Sequence, residues 1–175
     1  MKNKILLFLL LIISLLLFAP PTYAATANTK DNVSYILLTR ASMSRYREFT
    51  FVDCINGEIF EISTTLACPD IKTIDIWYNW IEQVAQDKNT NLPNKIIRQK
   101  IDENTLAKFL TELQKINIYS WKRSYPNPPG VFDGVQWSLR VIHQNTPSFY
   151  CSGSNNYPSN WRDFRGLLNK HLPAN

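Results

Sequence analysis

The sequence predicts an α+β protein: an antiparallel β-sheet of about five strands with two to three helices packed on one face, preceded by a signal peptide. Three observations lead there. Strand-like runs come first, amphipathic helical runs follow, and strands and a helix return at the end, so the strict βα alternation of a parallel sheet is missing. Asn56-Gly57 stands between two runs rich in aromatic and β-branched residues, which marks a hairpin. A basic, then apolar, then proline-broken leader opens the chain.

In the leader, Lys2 and Lys4 precede the apolar run from Ile5 to Ala19, and Pro20 and Pro21 end it. The run has about 15 residues against the roughly 20 that a helix needs to span a bilayer, so it reads as a cleaved export signal. Small residues at Ala24 and Ala27 offer cleavage points. The expected organisation is a signal peptide over 1–24, a flexible lead-in over 25–32 and one α+β domain over 33–175. Export to the periplasm or the exterior follows, with no stable membrane span after cleavage. Without Lys2 and Lys4 the formal charge of +5 becomes +3, with no block of like charges, so no nucleic-acid partner is expected.

Ser34 to Ala41 is the first strand candidate, followed by Tyr46 to Cys54 and Glu58 to Thr65. Along the second, Phe49, Phe51 and Asp53 point one way and Thr50, Val52 and Cys54 the other. A two-residue turn at Asn56-Gly57 would set Cys54 opposite Ile59. Cys68 then lies about 30 Å further along an extended strand, while bridged Cα atoms sit within about 7 Å. A Cys54–Cys68 bond and an unbroken hairpin exclude each other. In an oxidising compartment the favoured bridge joins Cys151 to Cys68 or Cys54, with three reduced thiols as the alternative.

Pro69-Asp70 reads as a helix start, with Ile74, Trp77, Tyr78, Ile81, Val84 and Ala85 at helical spacing. Lys95 to Ile101 is a short strand. Asp102 is an N-cap before a helix whose stripe is Leu106, Phe109, Leu110, Leu113 and Ile116. Ser124 to Gly130 is a proline-rich loop, and Asp133-Gly134 turns into a strand over Val135 to Ile142. Ser148 to Cys151 is the return strand. Ser152 to Pro158 is a loop of small residues, and Ser159 or Asn160 caps a last helix carrying Trp161, Phe164, Leu167, Leu168 and Leu172.

Asp133-Gly134-x-x-Trp137, a hairpin, then Ser152-Gly153-Ser154-Asn155-x-Tyr157-Pro158 and a helix resembles a module of uncharacterised bacterial exported proteins. The resemblance covers roughly residues 102–172. It implies an α+β fold and no assigned reaction. Cys151 stands where a small polar residue is more usual, which implies a disulfide particular to this version. Ser-Gly-x-x-Tyr is also similar to a loop of periplasmic lysozyme inhibitors, with one extra residue here between Gly153 and Tyr157.

The Ser152–Pro158 loop has two readings. In one, Gly153 and Asn155 take positive φ and the hydroxyls close local turns. In the other, its N–H groups and the helix start at Ser159 hold an anion or a peptide end, with Trp137, Ser152, Gly153, Ser154, Asn155, Tyr157 and Arg162 as the ligand-binding residues. Asp133, His143 and Cys151 or Ser152 are the residue types of a catalytic triad, but without specific spacing. Asp53, Glu58 and Glu61 are the carboxylates available for glycoside chemistry, expected on the surface. His143 and His171 do not have zinc-site spacing, so neither metal nor cofactor is expected. The expected function is an exported, non-enzymatic binding module for a protein or cell-envelope ligand. The alternatives are an inhibitor of a cell-wall hydrolase and a hydrolase with an unrecognised site.

Overall fold

Eight of the nine residues of the first strand are apolar or uncharged, and a run of five of them is buried, so this strand belongs in the middle of a sheet with both faces covered. The computed structural model describes residues 33–42, 46–88 and 94–171. The signal peptide and lead-in expected over 1–32 lie outside the described residues. In chain order the elements are β1 (Val33–Ala41), β2 (Arg47–Asp53), β3 (Glu58–Thr64), α1 (Ile74–Gln86), β4 (Lys95–Lys100) and α2 (Glu103–Ile116). A 3-10 turn (Ile118–Ser120) leads to β5 (Ser124–Tyr125), β6 (Gln136–His143), β7 (Phe149–Ser154) and α3 (Trp161–His171).

The strands form one sheet in the order β4-β3-β2-β1-β6-β7-β5. All neighbours are antiparallel except β5 and β7, which run parallel. The α+β class holds, with seven strands rather than about five, and the sheet is mixed rather than purely antiparallel. Residue alternation on β1 sends Ile36 and Leu38 to one core and Tyr35 and Leu37 to another. On the first face α2 and α3 supply Phe109, Leu113, Phe164, Leu167 and Leu168 over Val52, Ile59, Leu139 and Cys151. On the second, α1 lays Trp77, Trp80 and Val84 on Phe49, Phe51, Phe60 and Ile62. Helices therefore cover both faces, which corrects the expectation of one. Among the described residues no helix is long and apolar enough to cross a membrane.

The α1 core is a lattice of rings: Trp77 stacks on Phe51 at 4.1 Å between centroids, and Trp80 meets Phe49 edge-on at 4.9 Å. The helix starts at Ile74 rather than at Asp70. Ile71 is a core plug, 1% exposed, and its carbonyl accepts from the Tyr35 hydroxyl and Arg140. With that carbonyl already engaged, the segment is not helical before Ile74, and the backbone of Thr73 is extended. Asp102 caps α2 as expected, its carboxylate accepting from the Thr105 amide at 2.9 Å.

The hairpin forms, but its register differs from the expected one. Asp53 pairs with Glu58, leaving Cys54 to Gly57 as a four-residue loop. Asp53 Oδ1 accepts from the amides of Ile55 and Asn56, both at 2.9 Å, and this Asx-type closure outweighs a two-residue turn. Gly57 has φ +63°, and a Cβ there would meet the Ile101 carbonyl at 2.8 Å.

The three thiols are unpaired, so the expected bridge is not made. Cys54 follows the Tyr35–Asp53 pair, whereas Cys151 pairs with Leu139 and so lies in the Leu38 row. Those rows and the three intervening strand spacings put their Cα atoms about 19 Å apart. Cys68 packs against the core on the opposite face of the sheet. Burial pushes all three thiols up to about 12.

Candidate functional site

The proline-rich loop between β5 and β6 is built from turn chemistry. In Pro128-Pro129-Gly130-Val131, the Val131 amide donates to the Pro128 carbonyl at 3.2 Å and Gly130 has φ +79°. That is a type II turn, with proline and glycine at the positions it requires. Two residues later Phe132 is 96% exposed, more than any other large apolar side chain among the described residues.

Two consecutive asparagines tie the base of this loop. Asn155, in the left-handed region at φ +50°, donates through Nδ2 to Asn127 Oδ1 and to the Asp133 carbonyl. Its Oδ1 accepts from the Val135 amide at 2.8 Å, so one side chain holds both arms. Asn156 Nδ2 donates to the Pro126 carbonyl at 3.2 Å, while its own carbonyl accepts from Trp137 Nε1 at 2.9 Å. A Cβ on Gly134 would fall 2.0 Å from Asn155 Oδ1, so this arm needs glycine.

Beneath lies an aromatic stack. Trp137, 3% exposed, faces Tyr157 at 5.9 Å and Trp161 at 4.5 Å, and Tyr125 lies 5.7 Å away. Trp121 donates through Nε1 to Asn160 Oδ1, and Asn160 donates in turn to the Ile116 carbonyl, locking the start of α3 to the end of α2. Stack and clasp together form a rigid platform for the Phe132 loop.

Several of the residues proposed from sequence to hold a ligand take part in this platform. Trp137, Gly153, Asn155 and Tyr157 do come together. Ser152 and Ser154 are not in a loop: β7 runs through them, opposite Ser138 and Gln136. Gly153 lacks the expected positive φ and serves close packing, since a Cβ there would lie 2.6 Å from Trp137 Nε1. Arg162 is exposed and lines a groove between α2 and α3 of about 380 Å³, with Lys115, Asp163 and Lys170. Ser159 precedes α3, whose first residue is Trp161.

The candidate catalytic groups are dispersed. Asp133 precedes β6 and His143 ends it, which separates them by more than 20 Å of strand. Cys151 is buried in the α2–α3 core, and its proton is held up to about 12. His143 Nε2 lies 3.1 Å from the Tyr119 hydroxyl.

The hairpin carboxylates are not on the surface as expected. Asp53 is 0% and Glu58 7% exposed, while Glu61 projects from the opposite face. The Tyr78 hydroxyl lies 2.7 Å from Asp53 Oδ2 and 2.9 Å from Glu58 Oε2. Arg98 donates to both oxygens of Glu58 at 2.8 Å. Burial, then the two carboxylates, raises the Tyr78 hydroxyl above the usual phenol value. Asp53 Oδ2 also accepts from Asn56 Nδ2, so each Asp53 oxygen serves two donors, and the cluster ties α1 and β4 to the hairpin.

The chain matches no family model and no curated protein sequence.

Proposed function

We propose that this protein is an exported, non-enzymatic interaction module that docks a protein partner through the loop over residues 126–134, with Phe132 as its anchor. The observation that carries the reading is a phenylalanine 96% exposed on a loop whose two arms are bound to one asparagine. Exposing a large apolar ring to water is unfavourable, and a partner's pocket offsets that cost on binding. A loop already fixed in shape loses little entropy on docking, so the clasp favours affinity. Export is supported by the leader, whose length and flanks fit a cleaved signal. An exposed anchor on a loop tied at its base also suits a concave cleft, which keeps inhibition of a cell-wall hydrolase as a second reading.

A photo-crosslinking residue placed at position 132 in cells tests this. The expected result is one discrete adduct, outcompeted by the unlabelled wild-type chain but not by a Phe132→Ser chain. No adduct, or equal competition by both chains, would overturn it. Fractionation of the same cells checks export.

A further inference from the structure

Asn56-Gly57 is the only Asn-Gly step in the chain, and the hairpin loop over Cys54 to Gly57 presents it to water. Asn56 is exposed, and its neighbour Ile55 is 56% exposed. Asparagine is thermally labile because the next backbone nitrogen can attack its side-chain carbonyl carbon. Glycine hinders that approach least, since it has no Cβ. Gly57 is required here for backbone reasons, with φ +63° and no room for a Cβ beside the Ile101 carbonyl. The fold therefore retains the labile pair at an exposed position.

The contacts of this side chain give its chemistry a consequence. Asn56 Nδ2 donates to Asp53 Oδ2 at 2.8 Å, and the Tyr78 hydroxyl of α1 donates to the same oxygen at 2.7 Å. Asp53 is 0% exposed, so water neither replaces a lost donor nor screens a charge brought against it.

We propose that Asn56 is a site of spontaneous deamidation, and that its conversion loosens the Asp53–Tyr78 junction between the hairpin and α1. The Gly57 nitrogen gives up its proton and bonds to Asn56 Cγ. The Cγ–Nδ2 bond then breaks, and ammonia leaves with that proton. Water opens the resulting cyclic imide at either carbonyl, which leaves aspartate or isoaspartate at position 56. No oxidant or cofactor takes part. In the aspartate product an oxygen replaces Nδ2, so Asp53 loses a donor and meets a second carboxylate. In the isoaspartate product the main chain gains a carbon, within a loop whose Gly57 carbonyl accepts from the Ile101 amide at 2.8 Å.

Ageing of the wild-type chain in mildly alkaline buffer, followed by peptide mass spectrometry, tests the first step. The tryptic peptide from Glu48 to Lys72 holds Asn56 as its only side-chain amide. It is expected to gain the mass of an amide-to-acid conversion sooner than any other asparagine-containing peptide, and to split into two chromatographic forms. Asn56→Asp tests the second step. Hydrogen exchange of the α1 amides is expected to speed about fivefold or more, with α2 unchanged. Asn56→Ala, which removes the donor and adds no charge, is expected to fall between wild type and Asn56→Asp. Conversion only after denaturation would show that the Asp53 bond guards the amide, and would overturn the proposal. So would α1 exchange in Asn56→Asp that matches wild type or Asn56→Ala.

Discussion

Asn155 and Val135 are joined by a reciprocal pair of hydrogen bonds. The Asn155 amide donates to the Val135 carbonyl at 3.0 Å, and the Val135 amide donates to Asn155 Oδ1 at 2.8 Å. This pair closes the end of the β6–β7 hairpin and sets the angle at which the Phe132 loop leaves the sheet. Asparagine suits the position because it tolerates φ +50° and its short side chain reaches neighbouring backbone.

Asn155→Gly keeps the left-handed backbone and removes only the side chain. The Val135 amide then loses its acceptor, and a cost of about 1–2 kcal/mol is expected in urea unfolding. Hydrogen exchange at Val135 is expected to accelerate while exchange at Leu139 is unchanged. Equal protection of Val135 in both proteins would show that the clasp contributes nothing.

Gly153→Ala drives a methyl group to within 2.6 Å of the Trp137 indole and 2.7 Å of the Asn156 carbonyl. Both neighbours are packed, so the expected destabilisation is about 1–3 kcal/mol. Loss of the Trp137–Asn156 hydrogen bond is expected to appear as a shifted indole N–H resonance. Wild-type stability would mean that the stack yields at no cost.

Alkaline pH is expected to unfold the protein. Tyr78 holds its proton more tightly folded than unfolded, so its contribution is intact below about pH 10 and is lost as pH rises beyond it. The three thiols, raised to about 12, act in the same direction, beginning near pH 9. Tyr78→Phe is expected to cost about 1 kcal/mol at pH 7 and to flatten the decline above pH 10. Urea midpoints that fall equally steeply in both proteins would refute the assignment to Tyr78.

All three cysteines are expected to be alkylated after denaturation without reductant, giving three mass increments. In the native state at pH 8, Cys151 is expected to resist alkylation, because it is buried and its thiolate is scarce. A single increment in the unreduced, denatured protein would reveal a bridge and contradict the sheet geometry.

Much of the secondary structure was legible in the residues. Alternation in Phe49 to Cys54, the cap at Asp102 and the stripe from Leu106 to Ile116 are local signals, and all three hold. The missed strand, β5, is two residues long and exists only because β7 lies beside it. The turn over Cys54 to Gly57 was misjudged because Asp53 accepts from its own loop, a competition that Asn-Gly alone does not reveal. At the candidate site, Trp137, Asn155 and Tyr157 were singled out by type, and the structure adds the contacts that they make within the fold. Asn127 and Asn156 went unnoticed, since isolated asparagines look like ordinary loop residues. Aromatics amid the prolines from Tyr125 to Phe132 read as exposed from the sequence, and Phe132 is, whereas Tyr125 packs on Trp137.

The order of strands and helices, the α+β class and the apolar faces follow from the linear chain, because periodicity and capping act over a few residues. Which face each helix covers and which thiols can meet were decided only by tertiary structure. The sheet brings Arg40, Thr50 and Glu61 into adjacent rows of one face. Such contacts follow from register, and register is set by the whole sheet settling its two cores together.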